Sequence, residues 1–436
     1  MDTENSKASS PTVDDEKHVG TVDEGHGSED ANEPTYPDGG LRAWITVFGS
    51  FIIQFCGFGY TTSFGVYQDY YTRVYITNES SSAISWIGSV NAFLVIASGV
   101  VAGRLYDKGY FYFLLYGGAI LISFSLFMLS LAKPDNIYQN FLAQGIGHGL
   151  GAGMMYVPSI ALVSQYFKKR RALAMSFVAA GSSLGAFVHP IMLNNTLNGH
   201  LGFGGAVRAS AGLVTGLLVI ACCLMRPRLP PPTVVHDLGK SLKRYSRDIP
   251  FIAASAGLTF FTIGFYFPLF FLQLDAIKHN LSERFGFYAL VMMNATSFVA
   301  RMSAGLLAQR LGVMNMITVS TGCCAVLIFC MIALKTVASV VLLAVIYGFF
   351  SGIFITLMAP LIAILTEDVT ELGVRMGISF AFCGVGALIG PPINGALLTG
   401  QFIWWKPALF SGMFALLGFL CFVGMLLILH RWKKND

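Results

Sequence analysis

From Trp44 to His430 the chain is a succession of long apolar runs parted by short loops, a pattern that leaves few folds open. Twelve runs can be drawn, at 44–66, 84–104, 111–131, 138–163, 172–193, 203–225, 251–273, 285–308, 313–334, 336–365, 374–397 and 407–430. Each is close to the ~20 residues that a helix needs to cross a ~30 Å hydrocarbon core. The expected fold class is therefore all-α integral membrane, with twelve transmembrane helices in a lipid bilayer. Charged residues make up 12% of the chain. Soluble globular proteins carry about 25%.

Charge is distributed unevenly. Eleven of the 23 acidic residues lie in the first 38 positions, in a segment poor in apolar residues. Residues 1–40 are thus expected to form a disordered acidic tail, without the basic start and apolar core of a signal peptide. If that tail is cytoplasmic, the inner loops and the C-terminal end hold 17 Lys and Arg residues against seven outside. The inner set includes Arg104, Lys108, Lys168–Arg171, Arg310 and Arg375. The excess of inner positive charge places both termini in the cytoplasm. Sequons at Asn78 and Asn280 then fall in outer loops, where glycosylation is expected. The eight cysteines all sit in apolar runs without metal spacing, as small packing residues.

The basic, Pro-rich stretch 226–250 divides the runs six and six, giving bundles at 41–225 and 251–430 and a short tail at 431–436. The halves echo one another. GRLYDKG at Gly103–Gly109 and GLLAQRLG at Gly305–Gly312 place Gly103, Asp107 and Lys108 opposite Gly305, Gln309 and Arg310, at an offset of 202. MSFVAAG at Met175–Gly181 echoes ISFAFCG at Ile378–Gly384 at 203, and Pro190 echoes Pro391 at 201. Near-constant offsets indicate two parallel six-helix repeats about an axis along the membrane normal.

The first echo resembles the loop motif of the major facilitator superfamily, which joins the second and third spans. The resemblance implies that Gly103 lets two helices approach while Asp107 and Lys108 latch the cytoplasmic side, with Gly305 and Arg310 as the second copy. This copy of the motif lacks one residue before Gly109, and the second lacks its acid, having Gln309. DGGLRAW at Asp38–Trp44 and YFKKRRALAMSFVAAGSSLG at Tyr166–Gly185 are similar to signatures of the monocarboxylate porter branch, especially its fungal members. Asp38, Gly39, Gly40, Trp44, Arg170, Arg171 and Gly181 carry that likeness. From the residues themselves, Lys168–Arg171 would face anionic headgroups, and Gly181 with Gly185 would permit close helix packing.

Polar groups at membrane depth are costly and tend to face a cavity or a partner. Arg301 is the one basic residue within the body of a run. Its always-charged fork matches a carboxylate, and the resemblance implies that it pairs the substrate's anionic group. A structural ion pair is the competing role. Asn294, Tyr60, Tyr156, His148 and Asn91 complete the candidate substrate lining, with Gln144 and Asn394 as further polar groups. Tyr67, Phe260, Phe261 and Phe265 are candidate aromatic walls, or ordinary packing. Porters of the mammalian type carry an acid where this chain has Ser297, and a lysine in the first span where it has Gly59–Ser63. His148 and His189 remain as proton-coupling candidates, because imidazole titrates near neutral pH.

No P-loop, nucleotide-binding fold, deep carboxylate pair or metal-ligand cluster is present in the sequence, so neither an enzyme nor an ATP-driven pump is expected. The expectation is a secondary or facilitative transporter of an organic anion, a monocarboxylate or a larger carboxylated metabolite, working by alternating access. An exporter of a secondary metabolite, a vitamin-type carrier and a non-transporting nutrient receptor are the alternatives. No cofactor, metal or nucleic acid is implied; a proton is a possible second cargo. A monomer in the plasma membrane, rather than the vacuole, is expected.

Overall fold

The computed structural model describes residues 37–435 apart from 80, 198, 230–243, 280, 367–370 and 399–402. Among these, twelve helices are long and apolar enough to span a membrane. They are α1 (Leu41–Gln68), α2 (Ala83–Asp107), α3 (Phe111–Leu129), α4 (Ile137–Val163), α5 (Arg171–Leu197) and α6 (Gly202–Leu224) in the first half. The second half has α7 (Ile249–Gln273), α8 (Arg284–Leu311), α9 (Val313–Ala333), α10 (Val337–Ile364), α11 (Leu372–Leu398) and α12 (Trp405–Arg431). Lipid offers no hydrogen bonds to a backbone, so an apolar run can be accommodated only if each helix satisfies its own. The expected spans are matched in number and to within a few residues at their ends.

Local chemistry sets those ends. The two copies of the repeated motif finish at Gly109 and Gly312, with φ of 87° and 83°, a left-handed conformation that glycine adopts freely. Asp248 caps α7 by accepting from the Phe251 N–H at 3.1 Å, and Ser282 caps α8 through the Phe285 N–H at 3.2 Å. Thr336 and Ser339 form a reciprocal capping box that separates α9 from α10. Pro158, Pro190, Pro268, Pro360, Pro391 and Pro392 lie within helices, where each removes a backbone donor. α1 contains a π-helical turn at Phe55–Gly59, and α4 a longer π-helical stretch at Phe141–His148.

Several expectations are amended. The last helix runs on to Asn435, so the expected tail from Arg431 is helical. Arg375, assigned to an inner loop, is buried in the first turn of α11. There it bonds Asp248 at 3.0 Å and stacks over the rings of Tyr245 and Phe251. Packing captured this charge because Asp248 and Glu371 offer it acids, Leu365 a carbonyl, and Tyr245 and Phe251 two π faces. Cys223 and Cys330 are exposed on the bundle surface, unlike buried Cys56, Cys324 and Cys383. The acidic tail as far as residue 36, most of the 226–250 stretch and the sequon at Asn280 lie outside the described residues.

Where the halves meet, α2 packs along α11, α5 along α8, and α10 against α5. The face carrying residue 38 and the end of α12 is termed the terminal face; the opposite one is the far face.

Candidate functional site

On the terminal face the repeated motif closes the two halves together. Gly103 lies against the backbone of Gly373, and Gly99 against Gly377, so α2 and α11 touch without side chains between them. One turn on, the Asp107 carboxylate accepts from the Val374 N–H at 2.9 Å, at the N-terminal end of α11. A carboxylate there meets both free donors and the positive end of the helix dipole. Gly305 packs on Leu173 and Ser176 of α5, so the second copy of the motif serves α5–α8 as the first serves α2–α11. Lys108 and Arg310 are exposed at the ends of their helices.

The two signature segments, 128 residues apart at their starts, are one structure. Asp38, with φ 45°, directs Oδ1 at the N–H groups of Lys168 and Lys169, both at 2.7 Å, and Arg170 at 3.4 Å. Its own N–H donates to the Tyr166 carbonyl at 3.0 Å. Gly40, with φ 89°, turns the chain into α1, and Trp44 sets its ring edge-on to Phe167 and Phe177 at 5.5 and 5.6 Å. Gly39 precedes this turn, while the side chains of Lys168, Lys169 and Arg170 are exposed and Arg171 bonds back to the Phe167 carbonyl at 3.2 Å. Gly181 and Gly185 lie against Phe51, Phe55 and Gly59 of α1, the close packing expected of them. The signature thus ties α1 to α5, with Lys168, Lys169 and Arg170 exposed at the terminal face.

Between the halves lies a narrow, nearly closed cleft with about 20 Å³ of free space. Phe58 and Thr62 of α1 and Ser182 and Ala186 of α5 form one wall. Phe265, Tyr266 and Leu269 of α7, Met293, Asn294, Ser297 and Arg301 of α8, and Ser351 and Ile355 of α10 form the other. Arg301 is 5% exposed and has no carboxylate partner among the described residues. Its Nε donates to Ser297 Oγ at 3.3 Å, and Nη1 to the Ala179 carbonyl at 3.1 Å and to Ser182 Oγ at 2.5 Å. Nη2 has no hydrogen-bond partner among the described residues, and its two N–H groups remain to receive an acceptor. A buried guanidinium held only by hydroxyls and a carbonyl keeps its charge uncompensated.

The candidate lining residues divide. Arg301 and Asn294 line the cleft, with Phe265 from the aromatic set. Tyr156 borders it, its ring 5.8 Å from Phe58 and 5.9 Å from Phe380. Tyr60, Asn91 and His148 do not line it; they lie inside the first half in a polar cluster with His189. Asn91 Nδ2 donates to the Gln144 carbonyl at 2.5 Å and faces His148 Nδ1 at 3.0 Å, while Tyr60 and Tyr67 share their hydroxyls at 2.5 Å. Polar at membrane depth, these groups bond mostly to one another, leaving His148 Nε2 and His189 Nδ1 buried without a partner. Phe260 and Phe261 pack on Phe414 and Phe354 instead of the cleft.

Ser182, Tyr266 and Ser351 were missed. Only Ser182, within the GSS of the second signature, left a trace in the sequence. Asn78 is exposed on the far face, its amide donating to the Asp135 carbonyl at 3.1 Å.

The comparisons with known proteins point the same way as this architecture. The sequence profile of the Major Facilitator Superfamily matches residues 43–343. The chain is 39% identical over 368 residues to the aspyridones efflux protein apdF of Emericella nidulans, covering 84% of this chain and 74% of that one. It is 34% identical to the fujikurins efflux protein of Gibberella fujikuroi, covering 90% and 84%. It is 35% identical to the agnestins efflux protein AgnL12 of Paecilomyces divaricatus, covering 86% of each. Among solved structures, the human organic anion transporter MFSD10 (TETRAN) superposes with a TM-score of 0.68 at 14% identity, over 88% of this chain and 100% of that one. The latched halves, the paired repeats and these matches make this chain a member of the major facilitator superfamily of transporters.

Proposed function

We propose that this protein exports an anionic secondary metabolite from the cytoplasm by alternating access, with the terminal face cytoplasmic and Arg301 holding the anionic group. The observation that carries this reading is Arg301 itself, a buried cation without an acid, presenting Nη2 in a cleft between the halves. Phe58, Phe265 and Tyr266 beside it suit the apolar, conjugated body of a molecule larger than lactate. The efflux roles named for three fungal relatives support the outward direction. The monocarboxylate-porter likeness supports the acidic group. Uptake of a small monocarboxylate is less well supported, since a serine, Ser297, stands where an acid would serve proton symport.

The test is an untargeted comparison of metabolites inside and outside cells with and without the protein, repeated with Arg301→Ala and Arg301→Lys at matched membrane abundance. An anionic compound should accumulate inside cells lacking the protein or carrying Arg301→Ala, with partial restoration by Arg301→Lys. A neutral exported compound, or full export by Arg301→Ala, would remove the anion role from this residue.

A further inference from the structure

The polar cluster inside the first half contains two imidazoles whose hydrogen bonding is not equivalent. Both are fully buried and flank the Tyr60 ring, with centroid separations of 5.0 Å for His148 and 5.2 Å for His189. Each is placed by a π-helical segment, an irregularity frequent at functional sites. His148 ends the stretch in α4, and His189 of α5 reaches the carbonyl of Phe55, which begins the turn in α1.

The partners fix the tautomers. A carbonyl oxygen can only accept, so the amide atom of Asn91 facing the Gln144 carbonyl must be Nδ2. That same NH2 group faces His148 Nδ1 at 3.0 Å, so Nδ1 is an acceptor and His148 carries its proton on Nε2. His189 Nε2 lies 3.3 Å from the Phe55 carbonyl and must donate to it. Its Nδ1 then holds a lone pair, buried and without a hydrogen-bond partner. Protonating His148 would set two donors face to face and break the Asn91 contact. Protonating His189 at Nδ1 breaks nothing.

We propose that His189 is a proton-accepting site of the first half, taking its proton on Nδ1, and that His148 is held neutral beside it by Asn91. The surrounding elements supply few charges. α1 brings Cys56, Tyr60 and Tyr67; α4 brings His148 and Tyr156; α6 faces the cluster with the uncharged Ser210 and Val214. From the second half, α8 brings Arg301, while Tyr347 of α10 bonds to the Phe265 carbonyl of α7. Ser182, which holds Arg301, is seven residues before His189, about 10 Å along α5. A proton on His189 therefore meets one repulsive charge, that of Arg301 on the neighbouring α8. The rings of Tyr67, Tyr71 and Tyr75, spaced 5.5 and 6.0 Å apart, continue from Tyr60 toward the far face; Tyr60 and Tyr67 join hydroxyls, while Tyr71 donates to Gln144 Oε1 and Tyr75 to the Ala132 carbonyl.

The proton itself is the probe, so the test does not depend on what the cleft carries. The full chain, labelled with 15N-histidine and purified in lipid nanodiscs, is titrated by NMR from pH 8 to pH 4.5. With eight histidines in the chain, His189→Gln and His148→Gln each remove and so assign one signal, and His189→Asn replaces the first if it does not fold. At pH 8 both imidazoles should show the Nε2–H tautomer. On acidification His189 should gain a proton on Nδ1 while His148 keeps its neutral signature. Protonation of His148 before His189, an Nδ1–H tautomer of His189 at pH 8, or no change in either by pH 4.5 would overturn the proposal.

Discussion

Gly103 on α2 and Gly373 on α11 touch backbone to backbone, so closely that a Cβ on Gly103 would overlap the Gly373 carbonyl oxygen. The reverse also holds: a Cβ on Gly373 would run into the Asp107 carboxylate. Closure of the terminal face is thus bounded by main chain, which cannot rotate away as a side chain can. Gly103→Ala should shift the population toward an open terminal face. Pulsed EPR between spin labels at Lys108→Cys and Arg310→Cys, both exposed sites on opposite halves, should report longer distances in the variant once the exposed native Cys223 and Cys330 are replaced by serine. An unchanged distance distribution would mean that the helices part elsewhere.

Asp107→Asn keeps the shape of the latch and removes its charge. The bond to the Val374 N–H would lose its charge-assisted component and its helix-dipole term, together about 1–2 kcal/mol. Turnover of the exported compound should fall several-fold, with a smaller change in its binding constant. Equal turnover in wild type and variant would show that the backbone contacts suffice for the latch.

Asp38 holds the corner between α4 and α5 with one carboxylate oxygen. Asp38→Ala should lower stability by roughly 1–2 kcal/mol, the usual cost of a lost N-terminal cap. Trypsin should then cut more readily at Lys168–Arg171, and Asp38→Asn should recover much of the loss. Protection equal to wild type in Asp38→Ala would point to Trp44 as the main tie.

Ser297 lies one turn before Arg301, its Oγ accepting from Nε and sharing a hydrogen bond with Ser183 Oγ. Ser297→Asp would give the guanidinium an internal acid and so compete with an anionic substrate. Binding should weaken at least tenfold, about 1.4 kcal/mol, while Ser297→Asn should have much less effect. Tight binding in Ser297→Asp, measured by calorimetry with the exported compound, would be inconsistent with an anion held at Arg301.

Asp275 lies on the far face beyond the end of α7's membrane span, buried beside His279 at 3.2 Å. Burial pushes its carboxyl up from 3.8 to about 6, with His279 opposing part of that rise. The folded protein therefore holds this proton more tightly than the unfolded chain, and stability from this group is lost as pH climbs from about 4 through about 6. Asp275→Asn should be more heat-stable than wild type above pH 6, with the gap narrowing toward pH 5. A gap independent of pH would show that the carboxyl titrates normally.

Much of the fold was legible because lipid imposes a one-dimensional rule. Run length sets span number, and the near-constant offset of about 202 residues announced two like halves before any contact was known. The motif glycines were readable for the same reason, since Gly109 and Gly312 are needed where their helices stop. Arg301 could be singled out because one uncompensated charge in an apolar run has few explanations.

Which polar groups face the cleft was decided only by the tertiary structure. Asn91, His148 and Tyr60 have the same sequence credentials as Asn294, yet they bond to one another within the first half while Asn294 lines the gap between halves. Likewise Asp38 and Lys168 are far apart in the chain, and their contact depends on how α1 packs on α5. Composition and spacing fix what a helix must bury and where it must end. Which side of the helix turns toward a neighbour, and which polar groups become partners, depends on packing angles set by contacts across the whole bundle.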